Sequence, residues 1–194
     1  MFPNFAALPP EVNAAKLANG AGWNSTENAG EAWRALADKL AITRADMRNA
    51  LDALAAGWWS RAAAQMMAEA CAYNTWLYGL EYRARQVGDR ADAYWHAYAR
   101  ARAAMVSLQD IQVNRNRCAL LVNGNIGGKN TPAIASFEDQ YEEYWETNAR
   151  AMNTYAHTIS NLPPLEPFVE APQIISEQRL ADVSKALLTA QQLS

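Results

Sequence analysis

An apolar residue recurs every three or four positions, without a miss, from Ala63 to Met105. The series is Ala63, Met66, Ala70, Tyr73, Leu77, Leu80, Ala84, Val87, Ala91, Tyr94, Tyr98, Ala101 and Met105. A mean step of about 3.5 residues puts all of them on one face of an α-helix and gives it a coiled-coil seam. At about 1.5 Å per residue such a helix is roughly 65 Å long, more than a compact domain of this size is wide. A helix of that length needs neighbours all along it. The feature therefore predicts an all-α, elongated helical bundle that depends on partners, and it argues against a pocket enzyme.

The composition supports a packed chain: 51% of residues are apolar, 19% are charged, and only nine glycines interrupt 194 residues. That balance excludes general disorder. A net charge of −3 does not suggest nucleic acid or a membrane surface as the main ligand. No apolar run reaches the roughly 18 residues of a membrane span. Met1-Phe2-Pro3-Asn4-Phe5 lacks the basic stretch of a cleavable leader, so any export is expected to use another route. Cys71 and Cys118 are expected to lie far apart and unbridged.

A second seam precedes the first: Ala29, Trp33, Leu36, Leu40, Thr43, Met47, Leu51, Leu54 and Trp58. Only Gly57-Trp58-Trp59-Ser60 separates the two, so they are expected to form a long αα-hairpin. Upstream, Leu8-Pro9-Pro10-Glu11 opens a short helix to about Leu17, with Gly20 and Gly22 ending it. Asn24, Ser25 or Thr26 is placed to cap the next helix. Downstream, a fourth helix is expected from Ser107 to Val122, and a fifth from Thr131-Pro132 to about Ile159. Asn123 to Asn130 forms the turn between them. The domain reading is a helical domain over 1–161, a proline-rich linker over 162–173, and a C-terminal amphipathic helix or tail over 174–194 carrying Leu180, Val183, Leu187 and Leu188.

Little in this chain carries catalytic chemistry. The Gly124–Asn130 stretch is not a phosphate loop, because Asn123 and Asn130 stand where glycine and Ser/Thr are needed. Glu138, Asp139, Glu142, Glu143 and Glu146 are acidic, but no Glu-x-x-His pair accompanies them, since Ala93 and Thr154 precede the two histidines by three. They read as a solvated face partly paired with Arg115 and Arg117. No cofactor and no metal is expected. The surplus is aromatic, with seven Trp and eight Tyr, more than a thin bundle has interior to hold. Some therefore mark a protein interface.

The order of these landmarks resembles the mycobacterial PPE family. Pro9-Pro10-Glu11, Val12-Asn13 and Gly20-x-Gly22 look like its opening, and Trp33 with Leu36 fits its second helix. Ala62-Ala63 through Met66 to Tyr73-x-x-Trp76-Leu77 is similar to the start of its third. Asn114-x-Arg, Leu120-Leu121, Asn123-x-Asn125-x-Gly, Ile134-Ala135, Glu138, Tyr141 and Trp145 are similar to its fourth and fifth helices.

The resemblance implies a non-enzymatic secreted protein in an obligate heterodimer with a smaller PE-family chain. On this chain the partner would pack on Leu36, Leu40, Met47, Leu51, Leu54, Ala63, Met66, Ala70, Tyr73 and Leu77. It implies folded export from the cytoplasm by a type VII (ESX) secretion system to the envelope or beyond. An EspG-type chaperone would hold the tip at Leu120, Leu121, Val122, Asn123, Gly124, Asn125, Ile126 and Gly127. The export signal in such pairs is composite: a Tyr-x-x-x-Asp/Glu element from the partner beside a Trp-x-Gly turn. This chain contains no Tyr-x-x-x-Asp/Glu, which fits a signal supplied in trans. Its turn is Trp58-Trp59-Ser60, and serine at the usual glycine would be strained if that position needed positive φ. Two alternatives stay open: an envelope component in nutrient uptake or host interaction, and a helical targeting module for a separate effector.

Overall fold

The computed structural model describes residues 2–20 and 24–173, together with Lys185. Its described residues contain helices and turns and no strand. The five expected helices are present: α1 (Pro10–Ala18), α2 (Asn24–Gly57), α3 (Arg61–Ala104), α4 (Leu108–Asn123) and α5 (Thr131–Ser160). The chain folds as an all-α helical bundle.

Local chemistry explains most of the helix ends. The carbonyl of Pro9 accepts the amides of Val12 and Asn13, and Pro10 takes the first helical position, where a missing N–H costs nothing. α1 closes at Asn19, whose N–H donates to Ala15; Gly22 of the expected stop lies outside the described residues. Ser107 is the cap of α4 and not its first residue, since its Oγ accepts the Asp110 amide at 3.1 Å. The α4–α5 turn uses left-handed backbone at Gly127 (φ 67°) and Gly128 (φ 77°), which only glycine adopts freely. The C-terminal helix expected from residue 174 lies outside the described residues.

The chain divides into two compact units, Met1–Ala32 with Gly88–Pro164, and Trp33–Val87 with Leu165–Ser194. In the first, Phe5, Leu17, Ala101, Met152 and Ala156 form a buried cluster, with Leu8, Tyr98, Met105 and Tyr155 packed around it. In the second, α2 and α3 form the hairpin. Twelve of the thirteen expected seam positions, Ala63 to Ala101, lie in α3 and Met105 lies just past its end, and all thirteen are buried or half-buried.

The α2 seam needs correction. Gly30, Trp33, Ala37, Leu40, Arg44, Met47 and Leu51 are buried or half-buried in a three-four alternation, with Arg34 and Ala41 half-buried beside it. Ala37 is fully buried, whereas the expected Leu36 and Leu54 are 42% and 46% exposed, and Ala29, Thr43 and Trp58 are exposed too. Gly30 and Ala37 take the buried positions of this seam, and Leu36 and Leu54 are left on a neighbouring stripe.

Candidate interaction surfaces

The Pro9-Pro10-Glu11 motif is held by α5. Asn148 is fully buried, and its Nδ2 donates to the Pro10 carbonyl at 3.0 Å and to the Val106 carbonyl at 3.2 Å. Its Oδ1 accepts the Val106 amide at 2.8 Å, so one side chain ties three segments and is satisfied at both ends. One and two turns earlier on α5, Trp145 Nε1 donates to the Ala6 carbonyl at 2.9 Å, and the Tyr141 hydroxyl donates to Glu11 at 3.0 Å. Burial, reinforced by the Glu11 carboxylate, holds the Tyr141 phenol above its ordinary pKa. Asn13, also fully buried, donates to the carbonyls of Phe5 and Leu8. The only mark these asparagines leave in the sequence is that of polar residues at core positions in otherwise apolar helical stretches.

The expected pairing of the acidic run is found at one position. Glu138 meets Arg115 at 3.0 Å and accepts the thiol of buried Cys118 at 3.1 Å. The Cys118 hydrogen bond, then that of Arg115, lowers the Glu138 pKa; the same carboxylate, with burial, raises that of the Cys118 thiol. Cys71 and Cys118 are both free, Cys71 being exposed.

The α4–α5 tip is braced by side-chain hydrogen bonds and apolar on its outside. Asn130 Nδ2 donates to the Leu121 carbonyl at 3.1 Å, and Asn125 Oδ1 accepts the Asn130 amide at 2.8 Å. Around this frame Leu120 is 72% exposed, Val122 54% and Ile126 85%, while Leu121 is half-buried. Asn123, Gly124 and Gly127 are exposed and Asn125 is half-buried.

At the hairpin turn Trp59 is 86% exposed and Trp58 43%. Ser60 is not strained: among the described residues no non-glycine has positive φ. Its Oγ accepts the Ala63 amide at 3.0 Å and caps α3.

The hairpin has two unlike sides. One carries a chain of charges: Asp38 to Arg85 at 3.1 Å, Arg85 to Glu81 at 3.4 Å, and Glu81 to Arg44 at 2.5 Å. The Arg44 guanidinium also lies 4.6 Å over the Tyr78 ring, and Asn74 donates to the Arg44 carbonyl. The other side is apolar. Trp33, Leu40, Met47 and Leu54 follow at seven-residue steps along α2 with Leu36 one turn from Trp33, and Met66, Tyr73 and Leu80 line α3. Ala63, Ala70 and Leu77 are buried beneath, and Leu51 is half-buried.

Part of the apolar side is covered by the proline-rich segment after α5. Trp76 Nε1 donates to the Val169 carbonyl at 2.7 Å, and Arg83 Nε donates to the Pro167 carbonyl at 2.8 Å. Arg83 also meets Glu166 at 3.5 Å, and Phe168 stacks on Trp33 with ring centroids 5.8 Å apart. In the first unit, Arg90 makes the same type of bond to the Pro163 carbonyl.

The described residues thus define an all-α helical protein with two exposed apolar patches, one on the hairpin and one at the α4–α5 tip. The sequence profile of the PPE family matches residues 4–164, and the chain belongs to that family. It is 36% identical over 188 residues to the uncharacterized PPE family protein PPE45 of Mycobacterium tuberculosis (strain H37Rv), covering 96% of this chain and 46% of that protein. It is 34% identical over 184 residues to PPE29 of the same strain, covering 95% of this chain and 44% of that protein. PPE28 matches at 38% over 156 residues, 80% of this chain and 24% of its own. The chain thus spans less than half the length of these relatives. No described helix is long and apolar enough to cross a membrane.

Proposed function

We propose that this chain is a non-enzymatic subunit that pairs with a PE-family partner. The pair is exported folded by a type VII secretion system, and an EspG-type chaperone holds the Leu120–Gly127 tip before export. The observation that carries the reading is the open leucine stripe of α2. Leu36 and Leu54 are large, apolar and 42% and 46% exposed, beside a seam from Gly30 to Leu51 that is already buried or half-buried within the chain. A stripe of this kind is the natural seat for another amphipathic helix. Exposed Trp59 beside a serine-capped turn supports a role in the composite export signal, because the cap gives the turn its shape without a glycine.

Co-purification with the partner and the chaperone tests both surfaces. Leu54→Asp is expected to abolish pairing by placing an unpaired charge in the interface, while the chain alone keeps its stability to within about 0.5 kcal/mol. Leu120→Asp is expected to leave the heterodimer intact and remove the chaperone. A Leu54→Asp chain that still co-purifies with the partner sinks the assigned face. Retention of the chaperone by Leu120→Asp sinks the assigned tip.

A further inference from the structure

We propose that residues 165–169 act as a clasp, an occupant in cis of the same apolar hairpin face that the partner uses. The proposal rests on the pairing reading above and adds a regulation to it.

The sequence of the segment explains why it docks. Leu165-Glu166-Pro167-Phe168-Val169 lacks helix, and proline keeps it extended with carbonyls free to accept. α3 meets those carbonyls with donors at seven-residue spacing. Trp76 bonds Val169 and Arg83 bonds Pro167, so the donors sit on one stripe of the helix while the peptide follows it. Gly79 leaves the room that Arg83 requires, since a Cβ there would lie 2.8 Å from the Arg83 guanidinium. Phe168 then anchors the segment on Trp33 of α2, and Glu166 adds charge to Arg83.

The clasp lies on the leucine side. Trp33 belongs to the α2 stripe that continues through Leu40, Met47 and Leu54, and Leu36 is its neighbour one turn on. On α3, Trp76 is flanked by Tyr73 and Leu80. A helix seated along this face therefore meets the ring of Phe168 at Trp33. The clasp itself is held lightly: Leu165, Phe168 and Val169 are 43%, 49% and 55% exposed, and among the described residues its anchors are two bonds to backbone carbonyls, one ring stack and the Arg83–Glu166 ion pair, whose carboxylate is exposed. That suits a segment meant to be displaced. A clasp closed for nine-tenths of the time lowers apparent partner affinity about tenfold.

The test alters the clasp and leaves the face untouched. Partner affinity is measured by titration calorimetry for the parent chain and for Phe168→Asp combined with Glu166→Gln, and the binding of anilinonaphthalene sulfonate to each chain alone is measured in parallel. The expected result is a partner affinity raised about tenfold in the variant, with stronger dye fluorescence from the uncovered face. Unchanged or weaker partner affinity overturns the clasp. If neither chain binds the partner, the pairing reading falls. The dye then decides on the clasp alone: a rise supports a covered face, and equal fluorescence overturns it.

Discussion

The two units of this chain close their helices by different means. In the first, buried asparagines carry backbone groups across the gaps between helices: Asn148 reaches Pro10 and Val106, Asn13 reaches Phe5 and Leu8, and Asn114 reaches Phe137. Each bond needs a partner at one position and one angle, so that packing admits a single arrangement. In the second, charge holds one side of the hairpin while the other side is leucine, methionine and aromatic carbon with no fixed direction. The lesson is a division of labour: directional amides close the interior of the first unit, whose apolar exposure is greatest at the α4–α5 tip, whereas the second unit leaves an apolar stripe along its length.

Substitutions in the two units should behave accordingly. Asn148→Ala strips partners from the buried Pro10 carbonyl and from the half-buried Val106 amide and carbonyl, and should cost about 2–4 kcal/mol in chemical denaturation. A loss under about 1 kcal/mol would mean that the first unit is not held by amides and that the contrast fails. Glu81→Gln removes a charge from a pair whose side chains are only 18% and 13% exposed for Arg44 and Glu81. It should cost about 1–2 kcal/mol without altering partner affinity, because that network lies on the far side of the hairpin from the leucines. A matching fall in partner affinity would show that the two sides are not independent. Ser60→Ala should cost about 1 kcal/mol through loss of the α3 cap, and Ser60→Gly only a few tenths.

The smallest effect is electrostatic. Glu138 has a lowered folded-state pKa, so its contribution is present above the ordinary carboxylate range and is lost as pH falls through the lowered value. Denaturation curves of the parent and Glu138→Gln should therefore differ at neutral pH and converge in acid. A constant gap across that range would deny the Cys118–Glu138–Arg115 contacts their role.

How far the sequence disclosed this arrangement follows from which signals are periodic. The α3 seam was legible because every position carries an apolar side chain, and the helix count followed from its turns. The α2 seam was misread by one residue at alternate steps, because Gly30, Ala37 and Arg44 do not announce themselves as core beside Leu36 and Thr43. Arg44 is half-buried only because Glu81 and Tyr78 receive its guanidinium from another helix, a fact no local pattern holds. At the tip, Leu120, Leu121 and Val122 were equally apolar on paper; helical rotation exposes the outer two and tucks the middle one in. The proline-rich stretch read as a linker because prolines carry no periodicity, and its carbonyls found donors only through the fold. Asn13, bonded to Phe5 and Leu8 nearby, shows only as a polar residue at a core position, whereas the Asn148 tie escapes local pattern because its partner Pro10 stands 138 residues away.

That distance has a consequence for synthesis. Asn148 and Pro10 are separated by 138 residues, and Trp145 and Ala6 by 139. The hairpin, by contrast, joins neighbours across a three-residue turn and can form as soon as α3 leaves the ribosome. Translation adds about 5–20 residues per second, so the N-terminal motif waits several seconds for α5, while both arms of the hairpin are already made. During that interval residues 165–169 do not yet exist, and the leucine stripe is bare. A nascent partner translated close by would meet the face before the chain can cover it.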